Sequence, residues 1–203
     1  MPLTIFIIYL RPRGGAKHLT IPNLITILRL ILVPAVVLAM LQARWDWAFA
    51  GFLVAGISDG VDGFIARRFN QQSTLGAYLD PVADKLLLVS VFVVMSFIGQ
   101  LPLWLVVIMV SRDALIVCAV VLSAVMTHPV EMKPLFVSKA NTAIQIVLAA
   151  LVLGELALAV HLDPLRSVLI LLSGVLTVAS AAAYLVTWLR HMSGYGEGST
   201  PDI

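Results

Sequence analysis

DGVDGFIARRFNQQSTLGAYLDPVADK, residues 59–85, sets four aspartates into apolar, helix-forming sequence. Asp59, Asp62, Asp80 and Asp84 lie among Phe, Ile, Val, Ala and Leu. A charged group at membrane depth is costly and marks a functional site by default. Four acids gathered in one place repel one another, and Lys85 is the one nearby intramembrane base. A hard divalent cation bound through oxygen is the simplest relief. The competing account is a set of buried acids tied up in helix–helix hydrogen bonds.

The spacing gathers the acids. On a helix, Asp59, Asp62, Gly63 and Ala66 follow i, i+3, i+4, i+7 and share a face. Gly76, Asp80 and Asp84 follow i, i+4, i+8 and share a face of a second helix. The polar stretch Arg67–Thr74 makes these two helices antiparallel neighbours, so the four carboxylates face a common cavity. Gly63, Ala66 and Gly76 lack bulky side chains on those faces. That leaves room for a flat or phosphate-bearing ligand to approach the backbone.

The composition places this pair of helices in a membrane. Of 203 residues, 61% are hydrophobic and 12% charged, against roughly 25% charged in soluble domains. Mean hydropathy is +1.03. The net charge of +2 is small and the bases are scattered, so nucleic-acid binding is not expected. Cys118 is the sole cysteine, which excludes an intrachain disulfide. Six apolar stretches can each cross ~30 Å of hydrocarbon. They lie near Ile21–Met40, Trp47–Phe69, Tyr78–Gly99, Leu101–Met126, Val137–Val160 and Leu165–Leu189. The expected fold is therefore an all-α integral membrane protein of six transmembrane helices, with an N-terminal interfacial segment. The six-helix domain covers residues 20–190, preceded by segment 1–19 and followed by a polar tail, 191–203.

Basic residues set the orientation. With the N-terminus in the cytoplasm, the cytoplasmic segments carry Arg11, Arg13, Lys17, Arg67, Arg68, Lys133, Lys139 and Arg190, and the opposite side carries Arg44 and Arg166. Asp59 then lies roughly 13 Å of helix deeper than Arg68, and the acidic cavity opens toward the cytoplasm. Pro2–Leu10 is too short to span. It reads as an interfacial anchor with a basic end on anionic lipid, or as an unstructured tail, and not as a signal peptide.

The spacing D-x-x-D-G-x-x-A-R, eight residues, G-x-x-x-D-x-x-x-D is met at Asp59, Asp62, Gly63, Ala66, Arg67, Gly76, Asp80 and Asp84. This resembles the signature of the CDP-alcohol phosphotransferases, integral membrane enzymes of phospholipid synthesis. The resemblance implies two divalent ions, Mg²⁺ or Mn²⁺, held by Asp59, Asp62 and Asp80. Asp84 is then the general base and a further metal contact. Gly63, Ala66 and Gly76 make room for cytidine diphosphate, and Arg67 meets its phosphates. The opening Pro22-Asn23-x-x-Thr26-x-x-Arg29 resembles that of phosphatidyl-transferring members. It implies that Asn23, Thr26 and Arg29 contact CDP-diacylglycerol, where helix capping by Asn23 and snorkelling by Arg29 are the plainer account.

Further residues narrow the resemblance. Gln100-Leu-Pro, Ser111-Arg112-Asp113 and Met132 to Gln145 are similar to cardiolipin synthases of the mitochondrial type. Arg112 and Asp113, adjacent in sequence, are expected to point to different helix faces and need other partners. Arg112 suits an acceptor phosphate, since guanidinium binds phosphate bidentately, and Lys139 completes that pocket. Its plainer role is an ion pair with an acid such as Glu155. Phosphatidylglycerophosphate synthases tend to carry a second lysine where this chain has Asn141. One base fewer favours phosphatidylglycerol over glycerol 3-phosphate as acceptor. The implied partners are CDP-diacylglycerol, membrane lipids and a second copy in a homodimer, in a bacterial inner membrane. A divalent-cation transporter, the rival of another class, needs acids along a permeation path, whereas these cluster on two helices near one interface.

Overall fold

The structure is a computed structural model that describes residues 21–69, 74–125 and 136–196. Within these, side-chain surroundings are described except at 21–26, 60–82, 120–121, 123–125 and 190–196. Six helices account for almost all of it: α1 Ile21–Leu41, α2 Trp45–Phe69, α3 Thr74–Phe97, α4 Leu103–Val125, α5 Phe136–Leu158 and α6 Asp163–Gly196. No strand occurs among the described residues. The segment 1–19 and residues 197–203 lie outside them. The last helix corrects the expected polar tail from 191, because α6 continues to Gly196. Loss of hydropathy after Leu189 marks the end of the apolar stretch, not of the helix, which runs on into the glycine-rich sequence from Gly194.

Local chemistry explains the helix ends. Asp46 and Asp163 sit in the first turns of α2 and α6, where a carboxylate complements the helix dipole. Pro164 fits the first turn of α6, which needs no amide donor. At the end of α1, Ala43 donates to Met40 O (3.0 Å) and Arg44 to Ala39 O (2.8 Å). Gly99 and Gln100 repeat the pattern on Ser96 O and Met95 O after α3, and Val160 donates to Glu155 O after α5. These are Schellman turns, with a residue one or two positions past the helix in the left-handed region. Its φ is 54° at Ala43, 78° at Gly99 and 53° at Ala159. The Glu155 carboxylate reinforces the third turn by accepting from Leu162 N at 2.6 Å.

The exterior is more apolar than that of a water-soluble protein, and several polar groups are buried beside the apolar core. Buried groups include Arg29, Arg112, Asn141, Gln145, Glu155, Ser173, Thr177 and Ser180. Outward positions carry Ile31 and Leu38 on α1, Trp47 and Ile57 on α2, Phe97 on α3, Val117 on α4, Phe136 on α5 and Leu171 and Val175 on α6. Cys118 is also exposed. So broad an apolar exterior is unusual for a water-soluble chain. Helices pair their backbone groups within themselves in hydrocarbon; Pro34 inside α1 lacks an amide donor and interrupts that ladder once. Phe136–Leu158 and Asp163–Leu189 are long and apolar enough to cross a membrane, with mean hydropathies of 1.8 and 2.2.

The chain divides into two compact units, one of residues up to Gln100 with Ala149–Leu162, the other of Leu101–Leu148 with the chain from Asp163. In the first unit, α1 packs on both α2 and α3. Val36, Met40, Ala48, Phe52, Ala55, Ala83, Leu87 and Val91 form its core. Glycine at 51 lets α2 lie close to α1, since a Cβ there would stand 2.8 Å from Val36 Cγ2. In the second unit α4 packs on α6, and the Trp104 ring lies over Gly174, where a Cβ would be 2.9 Å from it.

Candidate active site

Arg29 is the buried floor of the site. It lies on α1, two turns before Val36, and Asp59 lies on α2, two turns after Gly51. Antiparallel packing therefore carries the Val36–Gly51 contact along one seam to Arg29 and Asp59. Asp84 approaches from α3, one residue beyond buried Ala83. Arg29 Nη1 donates to Asp59 Oδ1 at 2.9 Å and to Asp84 Oδ1 at 2.6 Å. One guanidinium nitrogen carries two hydrogens, one for each acid. Charge-assisted bonds of this kind are roughly twice as strong as neutral ones. Arg29 is 1% exposed, whereas the Asp59 and Asp84 side chains are 46% and 39% exposed. The cation thus lies beneath and the carboxylates form an open rim.

This corrects the charge balance expected from the sequence. The acids are not left with Lys85 as the one nearby base, because a third helix supplies Arg29 to two of them. Arg29 was expected on a phosphate or snorkelling outward; it instead lies buried against Asp59 and Asp84. Asp62 follows Asp59 on α2 and Asp80 precedes Asp84 on α3, each about one turn away. The side chains of Asp62 and Asp80 lie outside the described residues. So do the environments of Gly63, Ala66, Arg67 and Gly76 on the same helices and of Asn23 and Thr26 on α1. Among the described residues, no three acidic, histidine or cysteine groups converge as a metal cage. The two acids that do converge fit a hard cation by the nature of their donors: carboxylate oxygens at an open rim, already gathered around one positive charge.

The second unit holds a separate buried cluster. Arg112 donates to Ser180 Oγ through Nε (3.2 Å) and Nη2 (2.8 Å), to Ser138 Oγ at 2.5 Å and to Asp113 Oδ1 at 2.7 Å. Its guanidinium stands 5.5 Å from the Tyr184 ring centre. Arg112 has the other partners expected of it in Ser138, Ser180 and Tyr184, and in addition it pairs with its neighbour Asp113. The long arginine side chain folds back over the short aspartate. The plainer role, an ion pair with an intramembrane acid, is met by Asp113 in place of Glu155, which caps the turn after α5. A cavity of about 220 Å³ is lined by Ser111, Arg112 and Thr177 with Ile108, Leu115 and Val178. Lys139 is exposed in the first turn of α5.

Asn141 is 1% exposed and has a structural partner. The Thr177 hydroxyl donates to Ser173 O at 2.7 Å and lies 3.0 Å from the Asn141 side chain, while Gln145 Nε2 donates to it at 3.4 Å. Ser138, Thr177, Ser180 and Tyr184 escaped the sequence reading. A signal was there: Ser173, Thr177 and Ser180 follow i, i+4, i+7 in an otherwise apolar helix.

Residues 19–188 match the family described as CDP-alcohol phosphatidyltransferase. The chain is similar to "Cardiolipin synthase (CMP-forming)" of Rattus norvegicus, at 35% identity over 147 residues, 64% of this chain and 49% of the rat protein. It is 38% identical to the protein of the same description from Streptomyces coelicolor over 110 residues, 51% of each chain. It is 33% identical over 183 residues to "Cardiolipin synthase (CMP-forming) / mitochondrial hydrolase fusion protein" of Schizosaccharomyces pombe, covering 83% of this chain and 31% of that protein. The matches span about half the length of the mammalian relative and less of the fusion protein. With a family match over most of its length and an arginine-bound pair of signature aspartates at its open rim, the chain belongs to the CDP-alcohol phosphatidyltransferase family.

Proposed function

We propose that the chain transfers a phosphatidyl group from CDP-diacylglycerol to the hydroxyl of phosphatidylglycerol, giving cardiolipin and CMP. The observation that carries this is the convergence of Asp59 and Asp84, half-exposed, on buried Arg29. Two divalent ions, Mg²⁺ or Mn²⁺, held when bound by Asp59, Asp62, Asp80 and Asp84, would supply Lewis-acid relief of the pyrophosphate charge. Asp84 at the rim accepts the proton of the attacking hydroxyl. The hydroxyl oxygen bonds to the lipid-linked phosphorus as the bond to CMP breaks. Arg67, Asn23 and Thr26 contact the CDP-diacylglycerol head group, with Gly63, Ala66 and Gly76 leaving it space. Arg112 and Lys139 hold the acceptor phosphate. Six membrane spans, an N-terminus and site on the cytoplasmic side of a bacterial inner membrane, and a homodimer complete the proposal; the apolar exterior and the basic-residue asymmetry support the spans and their orientation.

The test is direct. Purified protein is supplied with CDP-diacylglycerol and either acceptor, and products are identified by mass. Cardiolipin formation with phosphatidylglycerol, lost on chelation, is expected. Faster CMP release with glycerol 3-phosphate would instead make the chain a phosphatidylglycerophosphate synthase.

A further inference from the structure

Arg29 is placed unlike an ordinary substrate-binding arginine. It is almost fully buried, and one of its nitrogens spans carboxylates from two different helices. Without it, Asp59 and Asp84 would face each other as like charges at a rim only partly open to solvent, where repulsion is stronger than in bulk water. With it, the same positive charge opposes any second cation that approaches those oxygens. Both effects follow from one geometry, in which the cation lies below and the acids remain open above.

Given the metal-dependent transfer described above, we propose that Arg29 is an internal counter-ion that keeps the Asp59–Asp84 pair assembled in the absence of a divalent ion and holds its affinity for that ion down. It is a positioning residue, acting through the two acids. Weakened ion affinity lets the acids exchange ligands during turnover, while the preassembled pair spares α2 and α3 from moving apart between cycles.

Protein purified in detergent and stripped with chelator is titrated with Mn²⁺, free Mn²⁺ being read by electron paramagnetic resonance and unfolding by a thermal melt. Arg29→Ala is expected to bind Mn²⁺ at least about tenfold more tightly than the unmodified chain, since a unit charge at contact distance has been removed. Its melting temperature in chelator falls, and Mn²⁺ raises it by more than in the unmodified chain. Arg29→Gln, neutral yet able to donate an amide hydrogen bond to the pair, gives the same direction and serves where the alanine variant does not fold. A residue that merely props the helices would leave Mn²⁺ affinity unchanged or lower it. Unchanged or weaker Mn²⁺ binding in the folded variant therefore overturns the counter-ion role alone. Absence of Mn²⁺ binding by the unmodified chain overturns the metal-dependent transfer together with it.

Discussion

Gly51→Ala perturbs the seam that aligns Arg29 with Asp59. The added methyl would lie 2.8 Å from Val36 Cγ2, closer than real Cβ contacts come. Val36 is buried and β-branched, so it has no free rotamer into which to retreat. Overpacking of this kind costs about 1–3 kcal/mol. Exchanging glycine for alanine inside a helix returns about 1 kcal/mol, so a net loss of about 0–2 kcal/mol is expected. Gly56, on the same helix, has nothing within 4 Å of its Cβ position. Gly56→Ala keeps the helix gain and has no clash. The two variants should differ by about 1–3 kcal/mol, which for a chain of this size is about 2–12 °C in melting temperature. Thermal melts in one detergent measure both. Val36→Ala added to Gly51→Ala should recover the difference as a favourable coupling energy, since residues in contact are not additive. Equal melting of the Gly51 and Gly56 variants would refute the close α1–α2 approach and the alignment built on it.

Three further outcomes can be checked. Asp84→Asn should abolish CMP release while CDP-diacylglycerol still binds, measured by turnover beside a binding assay; near-normal turnover removes Asp84 from the base role. Asn141→Lys should destabilise by several kcal/mol, because an unpaired ammonium would be buried beside Thr177; melts check this, and a stable variant would show that the site admits solvent. His161→Cys in a Cys118→Ser background should be labelled by an impermeant thiol reagent from the non-cytoplasmic face only, since His161 is exposed in the link between α5 and α6.

Hydropathy made the six helices legible, because only helices satisfy their own backbone in lipid. The expected Ile21–Met40 stretch and the helix Ile21–Leu41 differ by one residue. Periodicity likewise placed Asp59 and Asp84 on facing elements. It could not supply the lateral register of α1 against α2 and α3, and so it left the two acids without their base. Arg29 sits 30 residues from Asp59 and 55 from Asp84, and no local pattern links such distances. Arg112 was marked by its charge in apolar sequence, but its partners on α5 and α6 depend on packing. Asn141 looked like a missing lysine in the linear sequence. In three dimensions it is a buried group hydrogen-bonded to Thr177.

The three Schellman turns carry an asymmetry with a practical use. Gly99 occupies the left-handed position without penalty, while Ala43 and Ala159 hold the same backbone with a side chain attached. Left-handed backbone costs an L-residue roughly 1–2 kcal/mol. Ala43→Gly and Ala159→Gly should each return about 1 kcal/mol of this once the greater freedom of glycine in the unfolded chain is deducted. The carboxylate rim is untouched by either change. A chain extracted from its lipid often fails by unfolding before its chemistry can be measured. Two substitutions remote from the aspartates give a hardier version in which every variant of Arg29, Asp59 and Asp84 can be compared on equal footing.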